Sequence, residues 1–245
     1  MARATVGGFM APGTHHAADV LIIGGGLAGI VTALELLSAG RSVMLFDRDR
    51  EEVFGGLARE SFGGILMVGT PEQRRTGIPD SPELALSDWL SFGGFGQDEV
   101  AEYWPRRWAE AYVHDSLAEI HGWLRGLGIR FLPMPLWVER GQHGGGNSVP
   151  RWHVTWGTGQ VLATTLIGRL LGHPRRRGLG LCFGHRVEEL EWRNGAVVGC
   201  RGVDTRDGDR PFTASADCVV VAAGGINGCL DRVRRHWPAE WGAPP

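Results

Sequence analysis

Residues 24–29 of this 245-residue chain, Gly-Gly-Gly-Leu-Ala-Gly, follow a short apolar run at 19–23 and overlap the start of a longer one at 27–39. The short run is typical of a parallel strand buried on both faces. The longer run is apolar on nearly every side, as in a buried helix. Gly-x-Gly-x-x-Gly between a strand and a helix is the fingerprint of dinucleotide binding.

The three glycines of this fingerprint have separate physical tasks. Gly24 permits a tight turn out of the strand, Gly26 lets the backbone approach a pyrophosphate, and Gly29 lets the helix pack on the strand. The N–H groups and the dipole at the start of the helix attract phosphate.

Asp47 follows a second apolar run, 42–46, that completes a βαβ unit. A carboxylate at this position can accept hydrogen bonds from both ribose hydroxyls of an adenosine, and it disfavours NADP because it repels a 2′-phosphate. The alternative is a solvated charge, since residues 47–52 are all charged.

A second glycine-rich stretch at 55–64 bears on the choice between NAD and FAD. It contains the pairs Gly55-Gly56 and Gly63-Gly64, which allow backbone to contact a flat ring. A simple NAD dehydrogenase would continue into further βα units instead. The stretch therefore favours FAD, and a glycine-rich surface loop is the alternative.

The remaining patterns predict the fold class. A helix begins after Ser81-Pro82, another covers 105–125, and a third covers 158–171. Strand-like periodicity starts at Leu179 and reverses at Asn194-Gly195, and an apolar run at 217–223 returns to the sheet. We expect an α/β, Rossmann-like domain: a parallel sheet flanked by helices, a helical insertion at about residues 76–140 and an antiparallel meander after Leu179.

A family resemblance extends over nearly all of residues 19–245, and the segments that carry it are 24–29, 55–64, 71–75, 147–159, 185–187 and 219–225. With these segments the chain resembles the flavoprotein family of fumarate reductases, succinate dehydrogenases and 3-ketosteroid Δ1-dehydrogenases. The segments 71–75 and 147–153 are similar to its ketosteroid-dehydrogenase-like branch of bacterial FAD-binding dehydrogenases in particular.

The resemblance implies non-covalent FAD, because no His precedes the second glycine pair, where relatives with covalent flavin have one. It also implies a set of cofactor-binding residues. For the pyrophosphate these are Gly24, Gly26, Leu27 and Ala28, with Ala222, Ala223 and Gly224 behind it; for the ribose, Asp47 and Arg48; for the adenine, Val187; for the flavin, Gly55, Gly56, Ser61, Gly63 and Gly64.

His153 is a candidate on the substrate side by the same resemblance. The alternative, which we favour at this point, is a histidine that only bonds the backbone.

The implied activity is FAD-dependent oxidation, or reduction in reverse, of a carbon–carbon bond next to a carbonyl. Partners would be a small substrate, either steroid-like or an enone or unsaturated acid, and an electron acceptor. Relatives continue after 219–225 into a cap domain and a late glycine-rich FAD segment, which supply their catalytic base and acid. We therefore expect an N-terminal fragment without assignable catalytic residues. The alternatives are a non-catalytic FAD-binding remnant and an NAD-dependent dehydrogenase.

Composition excludes some other classes of protein. A net charge of −2 gives no electrostatic case for nucleic acid or an anionic membrane. Absence of a long apolar span or a signal peptide predicts a cytoplasmic protein. Residues 1–18 are expected to form a flexible tail, with His15-His16 in solvent, ahead of a domain at 19–245. The four scattered cysteines predict reduced thiols and no metal site.

Overall fold

A computed structural model describes residues 13–96, 98–137 and 146–244. The chain divides into two compact units. The first unit combines Met1–Gly56 with Leu166–Pro245, and the second comprises Leu57–Thr165. Each unit is described by itself.

The strands are β1 Thr14–Ala17, β2 Val20–Ile23, β3 Val43–Phe46, β4 Gly64–Leu66, β5 Trp152–Val154, β6 Leu179–Cys182, β7 His185–Arg193, β8 Ala196–Asp204, β9 Arg210–Ser215 and β10 Cys218–Val221. The helices are α1 Leu27–Ser38, α2 Pro71–Arg75, α3 Pro82–Phe92, α4 Glu99–Asp115, a π-helix Ser116–Gly122, α5 Trp123–Gly126, α6 Thr158–Leu171 and α7 Leu230–Arg235.

The first unit contains a parallel sheet in the order β10-β2-β3-β6. Its central strands are buried on both faces, as their uninterrupted apolar sequences require. Helix α1 buries Ile30, Ala33 and Leu37 and ends at Ser38. Gly40, two residues later, has φ of +81°, the left-handed conformation common after a helix. The predicted parallel sheet and its helix are confirmed.

The predicted meander forms a second sheet in the order β1-β9-β8-β7. The turn between β7 and β8 is Asn194-Gly195, with φ of 51° and 79°, the positive values that a tight two-residue hairpin needs. Phe46 of the parallel sheet and Phe212 of the meander stack at 5.1 Å between ring centroids. The core of this unit therefore lies between its two sheets.

The predicted flexible tail is wrong for its last residues. Thr14–Ala17 form strand β1, which pairs in parallel with β9. His15 bonds the side chains of Thr213 and Ser215, and His16 is half-buried among aromatic rings. This segment is ordered by pairing with a distant strand at the edge of the sheet. No local sequence pattern predicts that pairing.

The second unit combines the two-stranded antiparallel sheet β4-β5 with helices α2 to α5 and the first part of α6. Ser81 caps α3 by accepting a hydrogen bond from the Leu84 N–H, and Pro82 occupies its first turn, as predicted. Val68, Ala85 and Val113 form a core cluster.

The helix predicted at 105–125 has different bounds, and one residue of the apolar face that its periodicity predicts (Val113, Leu117, Ile120, Leu124 and Leu127) is exposed. Helical structure begins at Glu99, and Pro105 lies inside α4. The π-helix adds a residue to its turn, which rotates the following side chains around the axis. Ser116 and His121 are consequently buried, while Leu117, predicted to be apolar core, is 36% exposed.

Candidate functional site

The glycine turn between β2 and α1 is closed tightly by the backbone around it. Gly24 has φ of +113°, and a Cβ there would lie 2.3 Å from the Ala222 carbonyl oxygen. A Cβ on Gly29 would lie 1.9 Å from the Gly24 carbonyl oxygen. Both positions therefore exclude any side chain, which agrees with the turn and packing tasks predicted for them.

The start of α1 presents free hydrogen-bond donors beside open space. Gly26 is the N-cap and provides no side-chain hydrogen bond. The N–H groups of the first turn, which begins at Leu27, have no carbonyl acceptor within the helix. A Cβ on Gly26 would meet no atom within 4 Å, and Ala28 is exposed. Such a helix start fits a phosphate group, which its N–H groups and dipole stabilise.

Asp47 lies directly after β3 and contacts the glycine turn. Its Oδ2 accepts a hydrogen bond of 2.6 Å from the Gly25 N–H, and its Oδ1 accepts one of 2.8 Å from the Asp49 N–H. The backbone is fixed as well: the Asp47 N–H donates to the Cys182 carbonyl, and its own carbonyl accepts from the His185 N–H. The half-buried carboxylate is thus held at the end of the sheet, while Arg48 is exposed.

Gly25 was not predicted as a site residue, because its contact with Asp47 is tertiary. A Cβ on Gly25 would lie 2.6 Å from Asp47 Oδ2 and 2.9 Å from the Phe54 ring. The middle glycine of the turn therefore makes room for the carboxylate and for Phe54. The only signal in the sequence was a third consecutive glycine.

The first glycine pair of the second glycine-rich stretch lies against the glycine turn. Gly55 forms an isolated parallel bridge with Gly26, and its N–H donates to the Gly25 carbonyl at 3.1 Å. A Cβ on Gly56 would approach Gly26 Cα to 3.2 Å. The structure therefore brings the segment 24–29 together with the start of the segment 55–64, and both are predicted to bind the same cofactor.

Strand β10 leads past the same turn. The Ala222 N–H donates to the Ile23 carbonyl at 2.8 Å, and Ala223 and Gly224 follow with exposed backbone. Val187 lies on β7, opposite Gly202 and beside a break in the strand register. Because β7 is an edge strand of the described sheet, its outer backbone edge has no strand partner there.

In the second unit, the Ser61-to-Gly64 segment is shaped by packing. The Ser61 hydroxyl donates to the Ala58 carbonyl at 2.8 Å and accepts from the Gly63 N–H at 3.0 Å. A Cβ on Gly63 would lie 2.1 Å from Thr155 Oγ1, and one on Gly64 would lie 1.9 Å from Trp152 Nε1. These two glycines are thus required by the packing of their own unit.

Two large apolar side chains, one in this segment and one four residues before it, are exposed. Leu57 is 85% exposed and Phe62 is 79% exposed. Exposed apolar groups of this size beside glycine-rich backbone are suited to contact with an apolar or aromatic ligand.

His153 is buried inside the second unit, at 1% exposure. Its Nδ1 lies 2.7 Å from the Arg151 carbonyl oxygen, which places the N–H at Nδ1, and its Nε2 lies 2.7 Å from the Thr70 hydroxyl. Burial is the largest influence on the pKa of His153 and lowers it. With both nitrogens bonded internally, this geometry favours the structural alternative over a substrate contact.

Arg151 is the centre of a buried ion-pair network. Its guanidinium, 1% exposed, pairs with Asp80 at 2.8 Å and Asp88 at 2.6 Å and also bonds the Asn147 side chain at 2.9 Å. Burial alone would raise the pKa of the Asp88 carboxyl, but hydrogen bonds from Ser148 and Arg151 hold it below its usual value. The network explains the residue types in the segment 147–153.

Two of the segments that carry the family resemblance, 71–75 and 147–159, meet through this network. The Gln73 side chain, from 71–75, donates to Asp80 at 2.7 Å and to the Pro150 carbonyl at 2.9 Å. Thr70, directly before that segment, contacts His153. The two motifs therefore form one buried polar cluster in the second unit.

Comparison with known proteins identifies the family. The model of the FAD binding domain family matches residues 19–243. The chain belongs to this family. FAD is accordingly its cofactor, as the second glycine-rich stretch predicted.

Individual relatives support the resemblance found in the sequence. This FAD-binding chain is 44% identical over 243 residues to a KsdD-like steroid dehydrogenase of Mycolicibacterium smegmatis, a match that covers 93% of the chain and 44% of that protein. It is 27% identical over 231 residues to a fumarate reductase (cytochrome) of Shewanella frigidimarina, covering 94% of the chain and 37% of the relative. The chain thus spans less than half the length of these curated relatives.

A solved structure supports the fold. The 3-ketosteroid-Δ4-(5α)-dehydrogenase of Rhodococcus jostii RHA1, in complex with 4-androstene-3,17-dione, superposes with a TM-score of 0.73 at 23% identity. The match covers 94% of this chain and 50% of that one. The predicted Rossmann-like fold and the predicted family resemblance are both confirmed.

Among the residues that the model describes, no helix combines the length and the apolar character needed to cross a membrane.

Proposed function

We propose that this chain holds FAD in an oxidoreductase that acts on a carbon–carbon bond next to a carbonyl, with a 3-ketosteroid as the substrate class. The observation that carries the proposal is the 44% identity to a KsdD-like steroid dehydrogenase along 243 residues. A fumarate reductase is only 27% identical, so we place the steroid-like substrate ahead of an unsaturated acid.

In the first unit, the proposed binding groups follow the geometry of the glycine turn. The N–H groups of Leu27 and Ala28 bind the pyrophosphate beside Gly24 and Gly26, and Ala222, Ala223 and Gly224 line its far side. Asp47 accepts the ribose hydroxyls beside the Arg48 backbone. The outer backbone edge of β7 at Val187 bonds the adenine, and Gly55 and Gly56 continue toward the flavin.

In the second unit, Ser61, Gly63 and Gly64 are proposed to offer backbone to the flavin. No His lies among residues 58–62, so the flavin is held without a covalent bond. When bound, FAD supplies the acceptor for the two electrons of the reaction. The protein supplies binding and orientation, and no catalytic base or acid is assigned within the described residues.

The cofactor proposal is tested by heat release. Protein purified without added nucleotide should release FAD into the supernatant on boiling, without protease treatment. Flavin that stays with the precipitate would contradict non-covalent binding, and NAD in place of FAD would support the alternative of an NAD-dependent dehydrogenase.

A matched pair of glycine variants tests the position of the pyrophosphate. Gly26→Val places a side chain in the open space at the start of α1, where its Cβ meets no atom within 4 Å, so the fold should persist while FAD affinity falls. Gly168→Val is the control, since a Cβ there also meets nothing within 4 Å. Equal FAD affinity in both variants would place the cofactor elsewhere.

The substrate class is tested with the complete gene product. With FAD bound and an artificial electron acceptor, we expect turnover of a 3-ketosteroid and no reduction of fumarate by a reduced dye. Fumarate reduction alone would support the reductase alternative. Binding of FAD without turnover of either substrate would support the alternative of a non-catalytic FAD-binding protein.

A further inference from the structure

Three metal-binding side chains meet inside the first unit. His16 comes from β1, Cys182 ends β6 and His185 begins β7, and one ligand atom from each lies within 4.8 Å of the other two. Strand pairing produces this cluster, because β1 reaches the meander through β9 while β6 joins the parallel sheet.

His16 has an unused nitrogen. Its Nε2 is buried and has no hydrogen-bond partner. The ring packs against Phe46 at 5.4 Å and Phe212 at 6.0 Å between centroids, so its surroundings are largely apolar. A buried imidazole nitrogen without a partner costs free energy, and a metal ion bound to it would remove that cost.

His185 presents its second nitrogen in the form that a metal needs. Its Nδ1 lies 2.9 Å from the Phe183 carbonyl oxygen, so Nδ1 carries the proton and Nε2 keeps a free lone pair. A bond of this kind to the second ring nitrogen is what orients histidine ligands in metal sites. Asp204 lies 3.8 Å from Nε2, but its carboxylate is bonded by Arg206 at 3.0 and 3.1 Å.

Cys182 adds sulfur to the cluster, and a second sulfur lies beside it. Its Sγ is 3.5 Å from the Sδ of Met44 on β3. Two imidazoles, a thiolate and a thioether form a nitrogen- and sulfur-rich set that suits Zn²⁺ or Cu⁺. Mg²⁺ and Ca²⁺ are poor candidates because they prefer oxygen ligands.

We propose that His16, Cys182 and His185 bind a zinc-class transition-metal ion, with Met44 Sδ next to the fourth position. Binding breaks the Cys182 S–H bond, releases the proton to solvent and forms a sulfur–metal bond without any change of oxidation state. Zinc ligands lie about 2.0–2.3 Å from the ion, so the side chains must rotate to draw the three atoms together by about 1 Å. The ion would tie the N-terminal strand β1 to β6 and β7, which is a structural role.

The proposal is tested on chelator-treated full-length protein that carries no histidine tag. Titration with Co²⁺ should saturate at one equivalent with a thiolate-to-metal charge-transfer band, and Zn²⁺ should displace Co²⁺. Zn²⁺ should also raise the Tm, because an ion that binds only the folded state stabilises it. Cys182→Ser should abolish the band. His16→Ala and His185→Ala should each weaken Zn²⁺ binding by about 100-fold or more. Even the loss of a residue that only hydrogen-bonds a metal ligand typically costs about 10- to 100-fold.

His15→Ala and Cys218→Ser are the controls, because they change the same residue types at exposed positions. Both should bind Zn²⁺ like the unchanged protein. Loss of binding in His15→Ala, or a charge-transfer band that survives Cys182→Ser, would overturn the proposal.

A second measurement needs no variant. In the unchanged protein, labelled for long enough to modify Cys182 of the zinc-free form, Zn²⁺ should protect Cys182 from alkylation, as read by mass spectrometry, while Cys218 and Cys229 stay reactive. Equal alkylation of Cys182 with and without Zn²⁺ would overturn the proposal even if the variants fail to fold.

Discussion

The carboxylate of Asp47 receives hydrogen bonds from two backbone N–H groups, of Gly25 and Asp49, before any ligand is considered. Each oxygen of a carboxylate can accept more than one hydrogen bond, so both retain capacity for ribose hydroxyls. The same bonds hold the side chain in one position. The residue is therefore prepared for its proposed ligand by the turn that it helps to close.

Asp47→Ala should weaken FAD binding by about ten- to a hundred-fold. A hydrogen bond to a charged group contributes about 1.5–3 kcal/mol, and about 1.4 kcal/mol corresponds to a factor of ten. Fluorescence titration of the apoprotein with FAD measures the change. Asp49→Ala, two residues along and exposed, should bind FAD normally. Unchanged affinity in Asp47→Ala would return Asp47 to the alternative of a solvated charge.

His153 gives the second unit a pH-dependent stability. Burial lowers its pKa from the usual 6.5, so the unfolded chain binds a proton at a higher pH than the folded chain. The contribution of neutral His153 is therefore complete above about pH 6.5 and is lost as the pH falls toward the folded pKa.

His153→Asn keeps a donor for the Arg151 carbonyl but cannot titrate. At about pH 7.5 the variant should be less stable by about 0.5–1.5 kcal/mol, because the hydrogen bond between His153 and the Thr70 hydroxyl is lost. The gap between the two proteins should narrow by about pH 5.5. Urea denaturation at both pH values measures this, and a constant gap would show that His153 does not titrate as described.

At the scale of elements, ion pairs of the segment 147–153 link strand β5 to helix α3. Arg151 on the chain leading into β5 pairs with Asp80 before α3 and with Asp88 inside it. All three side chains are buried or nearly so. Because these charges are desolvated, removing one leaves the others without compensation.

Arg151→Met should therefore lower the free energy of unfolding by about 3–5 kcal/mol, the usual cost of breaking a buried ion pair. Arg107→Met is the matched control in the same unit, since Arg107 pairs with Glu110 at the surface and should cost about 1 kcal/mol or less. Urea denaturation of the two variants compares them. Similar losses in both would mean that the Arg151 network is not a stabilising element.

At the scale of the whole molecule, the alkylation rates of the cysteines measure how firmly the two sheets of the first unit stay packed. Cys200 lies in the core between the two sheets at 0% exposure, and burial raises the pKa of its thiol to about 11. Cys218 and Cys229 are exposed. Only a thiolate reacts quickly with alkylating reagents.

In the folded protein, Cys218 and Cys229 should be alkylated much faster than Cys200. In denaturant, all three should react at similar rates. Mass spectrometry of each cysteine-containing peptide over time measures the difference. Fast labelling of Cys200 under native conditions would mean that the two sheets separate readily.

The amino-acid sequence by itself determined the features that depend on neighbouring residues. The apolar run, glycine turn and apolar helix at 19–39 specify strand, turn and helix locally, and the model has them with bounds shifted by only one residue at each end. Asn194-Gly195 fixed a hairpin, since few other dipeptides adopt two positive φ angles. Ser81-Pro82 fixed a helix start through capping.

Only the tertiary structure decided the features that depend on distant segments. The groups that lie beside Gly24 and His16 come from distant parts of the chain: the Ala222 carbonyl in one case, Cys182 and His185 in the other. The order of β1 comes from pairing with β9, and the exposure of Leu117 comes from a π-turn that local periodicity does not encode. Spacing along a sequence specifies dihedral angles and faces over a few residues, whereas sheet order and packing select which of those faces meet.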